Sequence, residues 1–160
     1  MAGPFSLGTA GRLDRAAAEV PDLGMKIKPE IAENFARQGL MNTLGAELVS
    51  SGEGVAVIAA PIRPEVSQQQ GAAHAGLAFS LGDSACGYAA LTVLPEGADV
   101  VTSEIKINLL TLAVGERLRA TGHVVRAGRR LIVVTGEVHA EQADGTDKLV
   151  AILQGTMVPV

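Results

Sequence analysis

Residues 71–91 read GAAHAGLAFSLGDSACGYAAL, a stretch that is small or apolar almost throughout, with one histidine, His74, and one carboxylate, Asp83. A segment that is apolar on all sides predicts a buried helix, here over residues 75–91. Its length is near that of a membrane span, but Asp83, two serines and several glycines make 75–94 a poor one, and it has no basic flank. We therefore expect a helix inside the core and no membrane partner.

The role of the single carboxylate in this helix, Asp83, is the next question. Asp83 falls among apolar neighbours on a helical wheel, where a carboxylate is either a structural hydrogen-bond acceptor or a base with a tuned pKa. The residues alone leave both interpretations open. His74 lies nine residues earlier, about two and a half turns, so the two side chains face opposite ways and do not pair within one chain. The small residues 71–76 leave the helix start open, and its free N–H groups suit a carbonyl that gains negative charge.

Composition limits the function classes. The 160 residues are 48% hydrophobic and 19% charged, which predicts one folded domain. The net charge of −4 and only 2% aromatic residues argue against nucleic-acid binding. A lone cysteine, Cys86, allows no internal disulfide and fits a reducing compartment. The N-terminus lacks a secretory pattern, so we expect a cytoplasmic protein.

The order of predicted elements indicates the fold class. Residues 1–28 are expected to be a loose N-terminal arm, with a short helix over 13–19, and residues 29–160 a single domain. Pro29 and Gly39 suit the start and end of a helix over 29–39. Strands are predicted over 42–50, 54–62, 100–111, 116–126, 130–142 and 147–158. This order predicts an α+β fold, an antiparallel sheet of about six strands wrapped around one long buried helix, with open edges that favour oligomers.

One predicted strand shows a clear alternation of apolar and polar residues. In residues 100–111, Val101, Ile105 and Ile107 are placed on one face, and Thr102 and Glu104 on the other. Such alternation is typical of a half-buried strand.

Four segments together resemble a known family. They are HAGLAFSLGDSACGYA (74–89), TSEIKINLL (102–110), VVRAGRRL (124–131) and LVAILQGTM (149–157). In this order they are similar to the PaaI-like branch of hotdog-fold acyl-CoA thioesterases, which is linked to phenylacetic acid degradation. The resemblance covers about residues 40–158. It implies a hotdog fold, hydrolysis of an acyl-CoA thioester, coenzyme A only as part of the substrate, and a homodimer or dimer of dimers.

The resemblance also implies roles for individual residues. Asp83 matches the catalytic carboxylate, as nucleophile or as the base that activates water. The Ala75 N–H would bind the thioester oxygen, together with Gln68, where many relatives carry Asn. His74 matches the motif histidine that shapes the site. Thr102 matches a hydroxyl that orients water, although the match needs a one-residue insertion there. In this family, Asp83 would come from one chain and Gln68 with Ala75 from the other.

Other residues keep two interpretations. Gly76 is expected at the substrate, because a small residue lets a ligand approach the backbone. Arg126 and Arg129 lie in RAGRR, which is either a solvated hairpin tip or a contact for the coenzyme A phosphates. Cys86 lacks a partner base and is interpreted as core packing rather than as a nucleophile.

The remaining alternatives concern metal and turnover. His123 and His139 are not expected to pair, and no spacing of Cys or His suggests a metal, so we expect neither a metal nor an organic cofactor. The alternative function is an acyl-CoA-binding hotdog protein without turnover, which release of free thiol would distinguish. A hydratase of the same fold is disfavoured because its separated Asp and His pair is not found.

Overall fold

The apolar segment around Asp83 forms the central helix of the fold. In the computed structural model, which describes residues 26–160, this helix, α3, spans Ala75–Leu91, the range that the sequence predicts. Most of its side chains are buried, including Leu81, Ala85 and Ala89. The predicted helix over 13–19 and nearly all of the predicted arm lie outside the described residues.

Six antiparallel strands form one sheet against α3. They are β1 (Glu47–Gly52), β2 (Val55–Pro61), β3 (Val100–Leu109), β4 (Arg117–Ala127), β5 (Ile132–Glu141) and β6 (Asp147–Pro159). Their order in the sheet is β1-β2-β4-β5-β6-β3, so β1 and β3 are the edges. The predicted fold, an antiparallel sheet wrapped around one long helix, is confirmed.

Glycines in the central strands let the helix approach the sheet. A Cβ on Gly122 of β4 would lie only 2.4 Å from the backbone carbonyl of Ala85 in α3. At Gly136 of β5 it would lie 3.0 Å from the sulfur of Cys86. Because real Cβ atoms almost never come so close, α3 can rest on the centre of the sheet only where these side chains are missing.

A β-bulge changes the predicted orientation of β3. The pairing with β6 shifts between Thr102 and Glu104, so Ser103 is the extra residue of the bulge. As a result Thr102 lies on the helix side of the sheet with Ile105, whereas Val101 is exposed. The predicted alternation is therefore wrong at Thr102 and Val101, because a regular period of two assumes an unbroken strand.

The segment before the sheet also differs from the prediction. The helix predicted over 29–39 is two helices, α1 (Pro29–Ala36) and α2 (Gly39–Leu44), so Gly39 begins a helix instead of ending one. The predicted strand 42–50 begins only at Glu47, because Met41 is buried on the helix α2 and Gly45, at φ +67°, ends that helix. The hairpin cue SSGEG is confirmed as a turn between β1 and β2, but it does not show where the strand before it begins.

Ion pairs join the strands at the end of the sheet away from the bulge. Arg119 donates to Glu141 at 2.6 Å and also binds Asp147, and Arg117 binds Glu141 as well. His139 lies beside Arg119 in the sheet, and its buried Nδ1 has no hydrogen-bond partner among residues 26–160. Within residues 26–160, no helix has both the length and the apolar character that crossing a bilayer requires.

Candidate active site

His74 is the N-cap of α3 and determines which amides remain free. Its Nδ1 accepts a 2.9 Å hydrogen bond from the Gly76 N–H, and its carbonyl oxygen accepts one from the Leu77 N–H. The neutral imidazole that accepts at Nδ1 carries its hydrogen on Nε2. In the described part of the chain, the N–H of Ala75, the first residue of the helix, has no acceptor. This amide therefore stays available for an external oxygen, at the positive end of the helix dipole.

The position of the His74 imidazole explains why residue 76 is a glycine. A Cβ at this position would lie 3.0 Å from Nδ1 of His74. The absent side chain therefore leaves room for the imidazole that caps the helix.

Gln68 lies in a tight turn just before the helix. The Gln68 N–H binds the carbonyl of Ala72 at 2.8 Å, and the Gly71 N–H binds the carbonyl of Gln68 at 2.9 Å. The side-chain oxygen Oε1 of Gln68 accepts a 2.6 Å bond from the backbone N–H of Gln70. Because this bond occupies the oxygen, the amide presents its NH₂ group as a donor, and only a weak 3.4 Å contact to Gln70 engages it.

A first cavity brings Gln68, His74 and Ala75 together. Its volume is about 390 Å³, and apart from these three residues its walls are mostly apolar. The buried Ala78 and Val150 lie at its base, and the segment 109–113 forms one side. The structure thus collects the residues that the resemblance assigns to the thioester oxygen.

Asp83 and Thr102 meet at a different place. The Thr102 hydroxyl donates a 2.8 Å hydrogen bond to Oδ1 of Asp83. The bulge at Ser103 makes this contact possible, because it turns Thr102 toward the helix. A one-residue insertion is also what the family resemblance requires at this point. Asp83 itself is half-buried on the open side of α3, not enclosed by apolar neighbours as the helical wheel suggests.

A second cavity of about 190 Å³ lies beside this carboxylate. Its lining includes Asp83, Thr102 and two amide side chains, Asn34 of α1 and Gln38 at the N-cap of α2. The Tyr88 hydroxyl links these amides, because it donates to Asn34 Oδ1 at 2.7 Å and accepts from Gln38 Nε2 at 2.9 Å. Sequence reasoning missed Asn34 and Gln38. In the helix predicted over 29–39, their spacing of four places them on one face. No local pattern shows that this face contacts Tyr88, which lies 50 or more positions later.

The two cavities share no lining residue. Ala75 and Asp83 are eight residues apart along α3, which is about 12 Å at 1.5 Å per residue. The predicted oxyanion group and the predicted carboxylate therefore do not converge within the described part of one chain. This agrees with the helical wheel, on which His74 and Asp83 face different ways.

The arginines of RAGRR lie in an exposed hairpin between β4 and β5. Ala127 is next to Arg126 in the chain. Across the sheet, Ala127 pairs with Ile132, Ile132 with Met157, and Met157 with Thr102. This row crosses three strand spacings, about 14 Å in total. Arg126 and Arg129 are thus at the end of the sheet that carries Thr102 and Asp83, although they line neither cavity.

Other ionisable residues do not form a competing site. Burial raises the pKa of the Cys86 thiol to about 12, with a further contribution from the charge of Asp83, which disfavours a thiolate nucleophile. His123 pairs with Thr135 and His139 with Arg119, so the two histidines are not partners. Within residues 26–160, no three His, Cys, Asp or Glu side chains cluster as metal ligands would.

Comparison with protein families gives one matching model, described as the thioesterase superfamily, which covers residues 70–145. This range contains His74, Ala75, Asp83 and Thr102. Among curated proteins, the chain is 30% identical over 122 residues to the acyl-coenzyme A thioesterase PaaI of Escherichia coli. That match covers 76% of this chain and 82% of the relative.

Solved structures are similar over most of the chain. A thioesterase family protein from Silicibacter pomeroyi is 37% identical, with a TM-score of 0.79 over 82% of this chain and 96% of that one. The BH2602 protein from Bacillus halodurans, solved with CoA, is 29% identical, with a TM-score of 0.66 over 81% of this chain and 82% of that one.

Proposed function

The chain belongs to the hotdog-fold thioesterase superfamily, and we propose that it hydrolyses acyl-CoA thioesters with Asp83 as the catalytic carboxylate. Its relatives include thioesterases, and the chain is a thioester hydrolase. One observation carries the assignment of Asp83: it is the only carboxylate in α3, and a hydroxyl at 2.8 Å holds it at the wall of an open cavity. The CoA bound to the Bacillus halodurans relative supports CoA as the leaving thiol.

The oxyanion is the first requirement of the reaction. When a nucleophile adds to the thioester carbon, the carbonyl oxygen gains negative charge, and donors aimed at it lower the barrier. The free N–H of Ala75 and the NH₂ group of Gln68 supply two such donors in the first cavity. His74 orients the helix start, because its Nδ1 accepts the hydrogen bond from the Gly76 N–H.

Asp83 supplies the second requirement by one of two routes. As a base it takes a proton from water, whose oxygen attacks the carbonyl carbon; the C–S bond then breaks and the CoA thiolate leaves. As a nucleophile it attacks directly, expels the thiolate and forms a mixed anhydride that water cleaves. Mass spectrometry of enzyme quenched during turnover separates the routes, because only the second leaves an acyl group on Asp83.

We propose further that two copies of the chain complete each site. The oxyanion group and Asp83 lie about 12 Å apart along one helix, too far for both to contact one carbonyl group. Strand β3 is a free edge of the sheet, with the large apolar side chains Val101 and Leu109 exposed, and such edges favour association with another chain. We place Asp83 and Thr102 of one chain against Gln68 and Ala75 of the other, in a dimer or a dimer of dimers.

Release of free thiol from acyl-CoA substrates tests the proposed function. We expect the protein to release CoA from at least one member of a panel that includes phenylacetyl-CoA, without added metal. Asp83→Asn should lower kcat by about 100-fold or more, because the amide is neither an effective base nor a nucleophile. Glu104→Gln is the matched control, since this exposed carboxylate accepts a hydrogen bond from Thr156 and lines neither of the two cavities. Binding of acyl-CoA without thiol release would instead identify a non-catalytic binding protein.

We propose that the RAGRR hairpin binds the phosphates of CoA. Arg126 and Arg129 are exposed, lie at the end of the sheet that carries Asp83, and form none of the ion pairs found within residues 26–160. In the double variant Arg126→Gln with Arg129→Gln, KM should rise several-fold for acyl-CoA but not for the matching acyl-pantetheine, which lacks those phosphates. Lys148→Gln, at the opposite end of the sheet, is the control. An equal rise for both substrates would contradict this assignment.

A further inference from the structure

The second cavity, which adjoins Asp83, is suited to water rather than to a substrate group. Its volume of about 190 Å³ lies below the range of about 300–1,000 Å³ that small-molecule sites usually have. It has room for several water molecules, since each occupies about 30 Å³ in the liquid. Polar side chains form much of its wall, among them Asp83, Thr102 and Ser84. A buried water molecule needs about two to four polar partners, and this wall supplies them.

The Tyr88 hydroxyl determines which amide atoms remain free in this cavity. It donates to Oδ1 of Asn34 at 2.7 Å and accepts from Nε2 of Gln38 at 2.9 Å. Nδ2 of Asn34 and Oε1 of Gln38 are left without a partner among the described residues, as is Oδ2 of Asp83. One donor and two acceptors thus belong to residues of one wall. A single water molecule satisfies all three, because it donates two hydrogens and accepts a third.

A third cavity gives water access to this place from another side. Its volume is about 280 Å³, and Asn34, Leu91 and Asp99 line both it and the second cavity. It shares no lining residue with the first cavity. Four acidic and two basic side chains, all exposed, belong to its wall: Glu30, Glu33, Glu96, Asp99, Lys28 and Arg37. This acidic excess repels the phosphates of CoA but admits water.

On the basis of the proposed function, we propose that the second cavity holds the reacting water and that Asn34 and Gln38 bind it beside Asp83. With Asp83 as base, this water gives a proton to Oδ2 while its oxygen bonds to the thioester carbon, and the C–S bond then breaks. With Asp83 as nucleophile, the water oxygen bonds to the acyl carbon of the mixed anhydride, the C–O bond to Asp83 breaks, and a proton passes to solvent. Tyr88 is a positioning residue, because its hydroxyl holds both amides.

Filling the second cavity tests this proposal without removal of a polar group. Gly87 lines the cavity one turn after Asp83, and a Cβ at residue 87 meets no atom within 4 Å. Gly87→Leu should therefore keep the fold but displace the water, so kcat should fall by about tenfold or more at unchanged KM. The fall should be equal for the smallest and the largest acyl groups that the enzyme accepts. Gly39→Leu is the control, since its Cβ position is equally open and it lines none of the three cavities.

Substitution of the amide tests the same water from the other side. Asn34→Leu removes the donor and should lower kcat by about tenfold or more at unchanged KM. Tyr88→Phe keeps the ring, whose centroid lies 5.3 Å from that of Phe35, and should lower kcat severalfold. The two losses should not add in the double variant, because both displace one water molecule. Asn42→Leu is the control, since Asn42 also donates a side-chain bond, to the carbonyl of Ala36, but lines none of the three cavities.

The outcomes separate this inference from the proposed function. A wild-type enzyme that releases no thiol from any acyl-CoA overturns both. An active enzyme whose kcat is unchanged in either Gly87→Leu or Asn34→Leu overturns the water site alone. A loss in Gly87→Leu that grows with the size of the acyl group, or that is a rise in KM, also overturns it, because the cavity then accepts the acyl group. If Asn34→Leu does not fold, Gly87→Leu decides alone, since it removes no contact.

Discussion

The Thr102 hydroxyl donates a 2.8 Å hydrogen bond to Oδ1 of Asp83, across the gap between the edge strand β3 and the central helix α3. The bond fixes one carboxylate oxygen of a residue that lines the second cavity, and Oδ2 has no hydrogen-bond partner in the described part of the chain. The sulfur of Met157 lies 3.4 Å from the same hydroxyl, but a hydroxyl has one hydrogen, and the carboxylate is the stronger acceptor.

This bond predicts a role for Thr102 in orienting the carboxylate. Thr102→Val keeps the side-chain volume but removes the donor, so kcat should fall by about tenfold or more with little change in KM. Thr102→Ser keeps the donor and should retain most of kcat. Steady-state kinetics on the best acyl-CoA substrate checks both variants. If Val and Ser variants have the same kcat, the hydroxyl has no part in the reaction.

The close approach of α3 to the sheet predicts a large stability effect at one glycine. Gly122→Ala would place a Cβ 2.4 Å from the Ala85 carbonyl, so helix and strand must separate. We expect the free energy of unfolding to fall by about 1–3 kcal/mol or more, as for overpacked cores. Gly39→Ala is the control, because nothing lies within 4 Å of its Cβ position and alanine favours helices. Urea unfolding of both variants measures the difference, and equal stabilities would contradict the described packing.

Much of this packing follows from patterns that the sequence shows. The helix 75–91 was predictable because it is apolar on all sides, and the hairpins were marked by SSGEG and ADGT. Gly54 and Gly145 indeed adopt positive φ in those turns. The sequence pattern did not predict two features of the fold, the bulge in β3 and the helix α2. No residue type distinguishes the bulge at Ser103 from regular strand, and the hairpin cue SSGEG does not show where the strand before it begins.

The candidate site was predictable in its residues but not in its surroundings. The motif spacing placed His74 at the helix start and Asp83 on another face, as the structure has them. The second cavity depends on Tyr88, which lies 50 or more residues along the chain from its partners Asn34 and Gln38. Such contacts are set by the tertiary fold, so local patterns cannot reveal them. The catalytic roles remain predictions that the experiments here test.

The position of His139 predicts how stability depends on pH. Burial lowers the pKa of His139 below its ordinary value of 6.5, and the nearby Arg119 adds to this effect, against the acidic residues Asp147, Glu137 and Glu141. As the pH falls below 6.5, the unfolded chain therefore takes up a proton that the folded chain resists. Stability should fall as the pH drops from about 7 to 5, and His139→Gln should weaken this dependence. Melting temperatures over this range measure it; an equal slope in the variant would exclude His139 as a source.

The proposed two-chain site predicts which residue lies on the twofold axis. If Asp83 of one helix approaches Ala75 of the other, and the reverse, the helices are antiparallel and their midpoint is Phe79. This side chain is 39% exposed on the helix surface. Phe79→Cys should therefore form a covalent dimer on oxidation or with a short bis-maleimide, because a disulfide needs Cα atoms about 4.4–6.8 Å apart.

The buried Cys86, with its raised pKa of about 12, should not react and leaves a clean background. Val125→Cys, at an exposed position in β4 outside α3, is the control for accessibility. Denaturing gel electrophoresis shows the product. Crosslinking at Val125 but not at Phe79 would contradict the proposed arrangement of helices.

Complementation between two inactive variants tests the central claim most directly. Asp83→Asn and Gln68→Ala should each lose most activity, since one removes the carboxylate and the other a donor worth about 100-fold in rate at an oxyanion. Co-expressed in equal amounts with different tags, they should pair at random, so that about half the dimers are mixed. Each mixed dimer has one site with both defects and one with neither. We therefore expect about a quarter of wild-type activity for the mixture. Activity that stays at the level of the single variants, although both tags co-purify, would contradict a site shared between two chains.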